Sequence, residues 1–247
     1  MQGEQEASAD EILHWGPTYL PGMARNLIRR LQRSADFCEI VGTLRKHVAG
    51  RPAFRWGSGC SGLDAPGFAC AGIQTALGCF NIPVQFVHAC AAEVDEWKIE
   101  FLRRVHRPRR LLDDLFDMSA GIAMDRISGH NFHTEELKDL DCWFAGFVCK
   151  TVSSLNCKND NQSSGHALQN PESSTGRTCA GVILFIQEHK PKTIVLENVL
   201  GLKKNSQHLD VLDKLRSAGY VVEVLQMNPL AYGHPQDRPS LSQQRYR

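Results

Sequence analysis

The chain has 247 residues, 42% of them hydrophobic and 22% charged, a balance that builds a globular core and excludes a disordered or collagen-like chain. Lys and Arg number 28 against 27 Asp and Glu, so the formal charge is only +1 and no strongly cationic body is offered to a polyanion. The longest apolar stretch, Ala180 to Ile186, is far short of the roughly 20 residues of a membrane helix, so no membrane partner is expected. The start, MQGEQEASADE, is acidic and lacks the basic and apolar regions of a secretory signal, which points to a reducing compartment. The nine cysteines, odd in number and without a Cys-X-X-Cys pair, then read as free thiols, most of them packed.

Residues 1–50 read as an N-terminal appendage, in which Pro17, Pro21 and Gly22 interrupt two short helices around Arg25 to Arg33 and Phe37 to His47. From Arg51 short apolar runs alternate with segments of helical period. That order predicts an α/β domain over 51–247, a mostly parallel sheet with helices on both faces. Ala53 to Trp56 is a weak first strand, followed by a helix over Leu63 to Leu77 and a stronger strand over Val84 to Ala92. In Asp95 to His106, Trp97, Phe101 and Val105 recur every four residues on one helix face. Asp114 in LLDDLF falls at the tip of the next strand, and Asp141 to Phe147 is another. Lys150 to Thr178 is polar and reads as one long loop, a length that marks a functional lid or a disordered segment. A helix over Val182 to Glu188 precedes the strand Thr193 to Leu196. Asn205 or Ser206 can cap a helix through Leu209, Leu212 and Leu215, Gly219 can end it left-handed, and Tyr220 to Gln226 is a further strand.

Gly57, Gly59 and Gly62 form a literal G-x-G-x-x-G between a candidate strand and a candidate helix. Backbone without Cβ lets a nucleotide-like ligand approach there, although the same glycines also suit a turn that only changes direction. Glu93, at the end of the next strand, can accept from ribose hydroxyls. It lies 31 residues beyond Gly62, against about 20 in the dinucleotide fingerprint, which favours an adenosine-containing ligand other than NAD. Asp114 can bind an adenine amino group or be a solvated turn acid. Cys149 follows the DCWFAGF strand at the edge where α/β ligands bind, and Glu197 with Asn198 directly follows TIVL. A thiol beside a carboxylic acid suits addition to an electron-poor ring, while Cys149 as one cysteine of nine also reads as a small buried hydrophobe. Arg103, Arg104, Arg107, Arg109 and Arg110 can contact phosphates or form a solvated helix end. His130-X-X-His133 lacks a nearby cysteine pair, so no metal site is expected.

In order, GSGCSGL (57–63), Glu93, Asp114, AGFVCKTVSS (145–154), LENV (196–199) and YGHPQDR (232–238) resemble the motifs of the cytosine-5 DNA methyltransferases. The resemblance covers about residues 54–240, the catalytic half of that family. It implies a Rossmann-like fold that uses S-adenosyl-L-methionine, with Ser58, Gly59, Cys60, Gly62 and Leu63 cradling the methionine part. Glu93 and Val94 would hold ribose, Asp114 and Leu115 adenine, and Gly146 would line the sulfonium side. The implied substrate is a cytosine flipped out of DNA, to which Cys149 adds at ring carbon 6. Glu197, carrying a proton, would stabilise charge at N3. Arg238 would hold the carbonyl and the developing negative charge, with Asn198 and Gln236 also on the base. Lys150 to Thr178 would close over DNA.

Three features depart from the family pattern. Val148 stands where the family has the proline of its Pro-Cys pair, and Ser240 where a second arginine is usual. The chain also ends nine residues after Arg238, where the family continues into a target-recognition domain and a segment that closes the cofactor pocket. The domain is therefore expected to be C-terminally incomplete, with a second chain as one source of the missing segment. Alternative readings are a catalytically silent homologue that binds cofactor or a partner, and a methyltransferase acting on RNA. A nicotinamide oxidoreductase would share the glycines and the acid but gives no reason for Cys149, Glu197 and Arg238. A DNA substrate carries the expectation of a nuclear location.

Overall fold

The computed structural model describes residues 32–51, 53–148, 172–200, 207–228 and 240–246, with isolated positions 22, 26, 28–30, 168, 170 and 202. In chain order the elements are α1 (Phe37–Ala49), β1 (Ala53–Gly59), α2 (Ala65–Cys79), β2 (Gln85–Ala92), α3 (Glu96–Phe101) and β3 (Arg110–Leu112). A hairpin of β4 (Ile122–Met124) and β5 (Asn131–His133) follows, then β6 (Cys142–Gly146), α4 (Ser174–His189), β7 (Thr193–Val199), α5 (Gln207–Ser217), β8 (Val221–Met227) and β9 (Ser240–Tyr246). Seven strands make one sheet in the order β3-β2-β1-β6-β7-β9-β8. Every pair is parallel except those of β9, which runs against both β7 and β8.

Side-chain alternation along β6 and β7 shows how the two faces are covered. Trp143, Ala145, Ile194 and Leu196 pack with Cys179, Val182, Phe185 and Ile186 of α4 and Leu215 of α5, and the Trp143 and Phe185 rings stack at 4.3 Å. The intervening Cys142, Phe144 and Val195 turn the other way, toward Trp56 and Cys70 of α2. Helices therefore lie on both faces, which is why β2 is buried continuously from Val87 to Ala92. Of the seven described cysteines all are free, and Cys70, Cys90, Cys142 and Cys179 are buried. The last part of residues 1–50 docks on this domain: Val41 and Val48 of α1 pack with Leu77 and Ile82, and the Phe37 ring meets Phe80 edge-on at 5.2 Å. Of residues 25–33, positions 26, 28–30, 32 and 33 are described, and 26, 28–30 and 32 are helical.

Several elements differ from the sequence expectation. β1 runs through to Gly59, so Gly57 and Gly59 belong to the strand and only Gly62, at φ +56°, turns left-handed. The two strand glycines answer to packing. A Cβ at Gly57 would stand 2.5 Å from Cys90 Sγ, and one at Gly59 would fall onto Leu115 Cδ2 and 2.6 Å from Trp143 Cζ2. Because Trp143 is fully buried and cannot swing away, Gly59→Ala is expected to cost about 1–3 kcal/mol, read as a lowered denaturation midpoint at unchanged m.

The α2 helix starts at Ala65 because Asp64 takes φ +55°. α3 stops at Phe101 and passes into a π-helical turn over Leu102–His106, so Trp97, Phe101 and Val105 do not belong to one continuous α-helix. α4 begins eight residues before Val182. Its cap is Ser173, whose Oγ accepts from Gly176 N, so Ser174 to Thr178 are helix rather than the end of a loop. Gly219, at φ +94°, does end α5. The arginine cluster lies where β3 begins, at the sheet edge opposite the strand C-termini. Arg103 and Arg104 pair there with Glu100, and Arg110 with Glu136 and Asp125. Arg107 and Arg109 are exposed, and Arg107 Nε donates to Arg104 O at 3.2 Å.

Candidate active site

The turn after β1 is stitched to the end of β2. Ser61 N donates to Ala92 O at 3.0 Å, the Ser58 and Ser61 hydroxyls are 2.7 Å apart, and Gly62 N donates to Glu93 Oε2 at 2.7 Å. Glu93 Oε1 accepts from Val94 N at 3.0 Å and Asp95 N at 3.2 Å. A carboxylate offers about four acceptor positions, so these backbone donors leave one, on Oε2. Glu93 is thus both the splint of the turn and an acceptor for a single further donor.

Above this splint lies a cavity of about 600 Å³ whose walls include Gly62, Glu93, Asp114, Phe116, Gly146 and Val148. It sits at the C-terminal ends of β1, β2, β3 and β6, where the strand order reverses beside β1, as ligand sites in open α/β sheets do. Its ionisable side chains are Glu93, Asp95, Asp113 and Asp114 against Lys98 and Arg177, an acidic excess that suits a cationic ligand. Asp114 Oδ1 accepts from Phe116 N at 3.1 Å and Oδ2 from Arg177 Nη2 at 2.9 Å, with the Arg177 guanidinium 5.2 Å from the Phe116 ring centroid. Cys60 also lines the cavity. Burial, with the nearby charges of Glu93 and Asp114, pushes its thiol up to about 12, so it stays protonated and unreactive.

A second cavity, of about 570 Å³, adjoins the first through Cys60 and Gly146 and includes Ser58, Gly59, Asp64 and Glu197. The β6–β7 register puts Gly146 opposite Glu197, and a Cβ on Gly146 would be 3.6 Å from Glu197 Oε2, so the carboxylate stands over the glycine. Asn198 is buried. Its Nδ2 donates to Phe147 O at 3.0 Å and its Oδ1 accepts from Val199 N at 2.9 Å, so the amide ties the end of β6 to β7. Beneath the glycine turn, Asp64 Oδ2 and His88 Nε2 are 3.6 Å apart, both side chains buried. Burial pushes Asp64 up to about 7, against a Ser58 hydroxyl that lowers it, and burial followed by the charge of His106 pushes His88 down to about 3.

Ser58, Gly59, Cys60, Gly62, Glu93, Val94, Asp114, Leu115, Gly146 and Glu197 are thus gathered around two adjoining cavities, with Val94 on the exposed rim. Leu63 lines neither, and its carbonyl meets His106 Nε2 at 3.0 Å. Cys149, Gln236 and Arg238 lie outside the described residues. Sequence reasoning missed Phe116, Arg177 and Thr178 as cavity residues. The available signal was the cap Ser173 with Gly176 at its third position, which starts a helix early enough to bring Arg177 to Asp114.

A parallel sheet that reverses order beside a glycine turn, with acids beyond two successive strands facing one cavity, defines a doubly wound α/β protein of the methyltransferase type. The chain belongs to the C-5 cytosine-specific DNA methylase family, which it matches over residues 59–240. It is 26% identical over 171 residues to a DNA (cytosine-5-)-methyltransferase DMT5 of Cryptococcus neoformans, covering 68% of this chain and 6% of that protein. A DMT5 of Verticillium dahliae is 27% identical, with 59% of this chain and 8% of that protein covered. Among solved structures, a putative DNA modification methyltransferase encoded within an Escherichia coli prophage aligns at TM-score 0.51 and 17% identity, over 78% of this chain and 47% of that one. The chain therefore spans less than a tenth of these curated relatives and about half of that structure.

Proposed function

We propose that this chain transfers a methyl group from S-adenosyl-L-methionine to carbon 5 of cytosine in DNA, through a covalent adduct of Cys149. The carrying observation is the pairing of Gly146, three residues before Cys149, with Glu197, beside a cavity rich in carboxylates. The cofactor's sulfonium and ammonium charges suit that acidic cavity, and Glu93 and Asp114 are acceptors suited to a ribose hydroxyl and an adenine amino group. When bound, the cofactor supplies an electrophilic methyl group.

The chain's own residues supply the rest. The Cys149 thiolate forms a bond to ring carbon 6 of a flipped cytosine, which moves an electron pair toward carbon 5 while Glu197 stabilises N3. Once carbon 5 carries the methyl group, loss of its proton to a base and expulsion of the Cys149 thiolate restore the ring. Arg238, by resemblance, holds the carbonyl oxygen. A duplex containing 5-fluorocytosine tests this, because fluorine at carbon 5 cannot leave as a proton and the adduct persists. The expected result is a cofactor-dependent protein–DNA band on a denaturing gel, absent in Cys149→Ser. A protein that binds S-adenosylhomocysteine but gives no band would instead be a silent cofactor-binding homologue.

A further inference from the structure

The residue before Cys149 is Val148, and its backbone N–H donates to Thr178 Oγ1 at 3.2 Å, across the cofactor cavity wall from β6 to α4. A proline at that position would have no N–H to give and would hold the turn by its fixed φ alone. The Thr178 hydroxyl is itself oriented, since it donates back to Ser174 O at 2.8 Å, with Thr175 O at 3.2 Å. Its acceptor lone pair is thereby aimed out of the helix. The turn of α4 that carries it is fixed from the other side as well. Ser173 caps the helix through Gly176 N at 2.9 Å, and the adjacent Arg177 is anchored on Asp114 and over Phe116.

We infer that Thr178 is a positioning residue for the thiol: its hydroxyl clamps the Val148 amide and so fixes the backbone that leads into Cys149. This rests on the reading of Cys149 as the nucleophile. A free valine before a nucleophile would let the following turn sample several φ values. Each non-productive one lowers the fraction of thiols aimed at the base. A hydrogen bond to a helix that is capped and ion-paired supplies the missing restraint. The clamp lines the same cavity as Glu93 and Asp114.

The test is the rate of adduct formation on the 5-fluorocytosine duplex at saturating cofactor, in the full chain and in Thr178→Val, Thr178→Ser, Val148→Pro and the double variant Val148→Pro/Thr178→Val. Thr178→Val keeps the side-chain shape, so the fold is expected to stand. A far-UV circular dichroism spectrum and a urea midpoint close to the parent's check it. The expected result is trapping slowed about tenfold in Thr178→Val. Thr178→Ser, which keeps the hydroxyl, stays near the parent rate. In the Val148→Pro background, where no N–H remains to be clamped, Thr178→Val makes no further difference. Amide exchange at Val148 should quicken in Thr178→Val in step with the slowed trapping. Equal slowing of Thr178→Val with and without the proline, or Thr178→Ser behaving like Thr178→Val, would show a role confined to α4 and overturn the inference. A parent protein that never traps overturns the reading of Cys149, and the inference with it. A parent that traps while Thr178→Val traps equally fast overturns the inference alone.

Discussion

Glu93→Ala is expected to abolish measurable binding of S-adenosylhomocysteine while leaving a folded but weakened protein. Two losses combine. The ligand loses the single acceptor position still open on Oε2, and the amides of Gly62, Val94 and Asp95 lose the carboxylate that holds them at 2.7 to 3.2 Å. Orphaned donors cost about 1–3 kcal/mol each when they stay buried, and water admitted to the cavity offsets part of this, so about 2–4 kcal/mol of stability should go. Affinity should fall more than about 100-fold, which corresponds to about 2.7 kcal/mol. The splint sets the height of the glycine turn as well as contacting the ligand, so the effect exceeds that of one lost hydrogen bond. Glu93→Gln separates the two losses. Its amide oxygen can still accept from Val94 and Asp95, but the amide nitrogen cannot accept from Gly62, so stability should recover largely and affinity only in part. Calorimetric titration beside urea denaturation of the three proteins reads both quantities. Undiminished affinity in a folded Glu93→Ala protein would place the ligand elsewhere.

The sheet was legible where burial writes itself into sequence, and obscure where backbone pairing or neighbours decide. β2 and β6 were readable because strands covered on both faces are continuous apolar runs, VQFVHACAA and DCWFAGF. β9, SLSQQRY, carries no such signal. It exists because β7 and β8 offer it ladder partners on both sides, with Glu197 opposite Ser242 and Leu225 opposite the same residue. The start of α4 was hidden by Ser174, Thr175, Gly176 and Thr178, poor helix formers that a serine cap and the Arg177–Asp114 pair override. In the site, acids at strand ends could be placed because topology fixes strand ends. What they bind now could not. Glu93 with three backbone donors, Asp114 with Arg177 and Asn198 with Phe147 O are partnerships made by turns whose geometry no spacing encodes. The sequence leaves the glycines as either a ligand approach or a turn; packing adds a further cause at Gly57 and Gly59, which make room for Cys90, Leu115 and Trp143.

Asp64→Asn and His88→Gln are expected to give the protein opposite dependences of stability on pH, although the parent pair contributes almost none. His88 lies against Trp56, ring centroids 3.8 Å apart, and Asp64 is 1% exposed, so neither can be charged without losing hydration. With Asp64 raised to about 7 and His88 lowered to about 3, the folded pair holds one proton throughout that interval. In the unfolded chain the histidine holds one proton from about pH 4 to pH 6.5, and the counts match. The pair is therefore silent there. Without Asp64 the fold keeps a neutral His88, and the unfolded chain binds one proton more until its histidine titrates. Stability relative to the parent then rises with pH between about 4 and 6.5. Without His88 the folded Asp64 keeps its proton up to about pH 7 while the unfolded one loses it near 4, so relative stability falls over the same window. Either slope approaches 1.4 kcal/mol per pH unit, or about 2–3 kcal/mol between pH 4 and 6. Denaturation of the three proteins across that range measures it, and slopes of the same sign would show that the two groups do not share a proton. The arrangement also bears on the site above it. Ser61 O accepts from Asp64 N at 2.7 Å, so the glycine turn is hydrogen-bonded to the backbone of Asp64. A pair that stays neutral from pH 4 to near 7 supports that turn without placing a buried charge beneath it, and leaves the acidic field of the cavity to Glu93 and its neighbours.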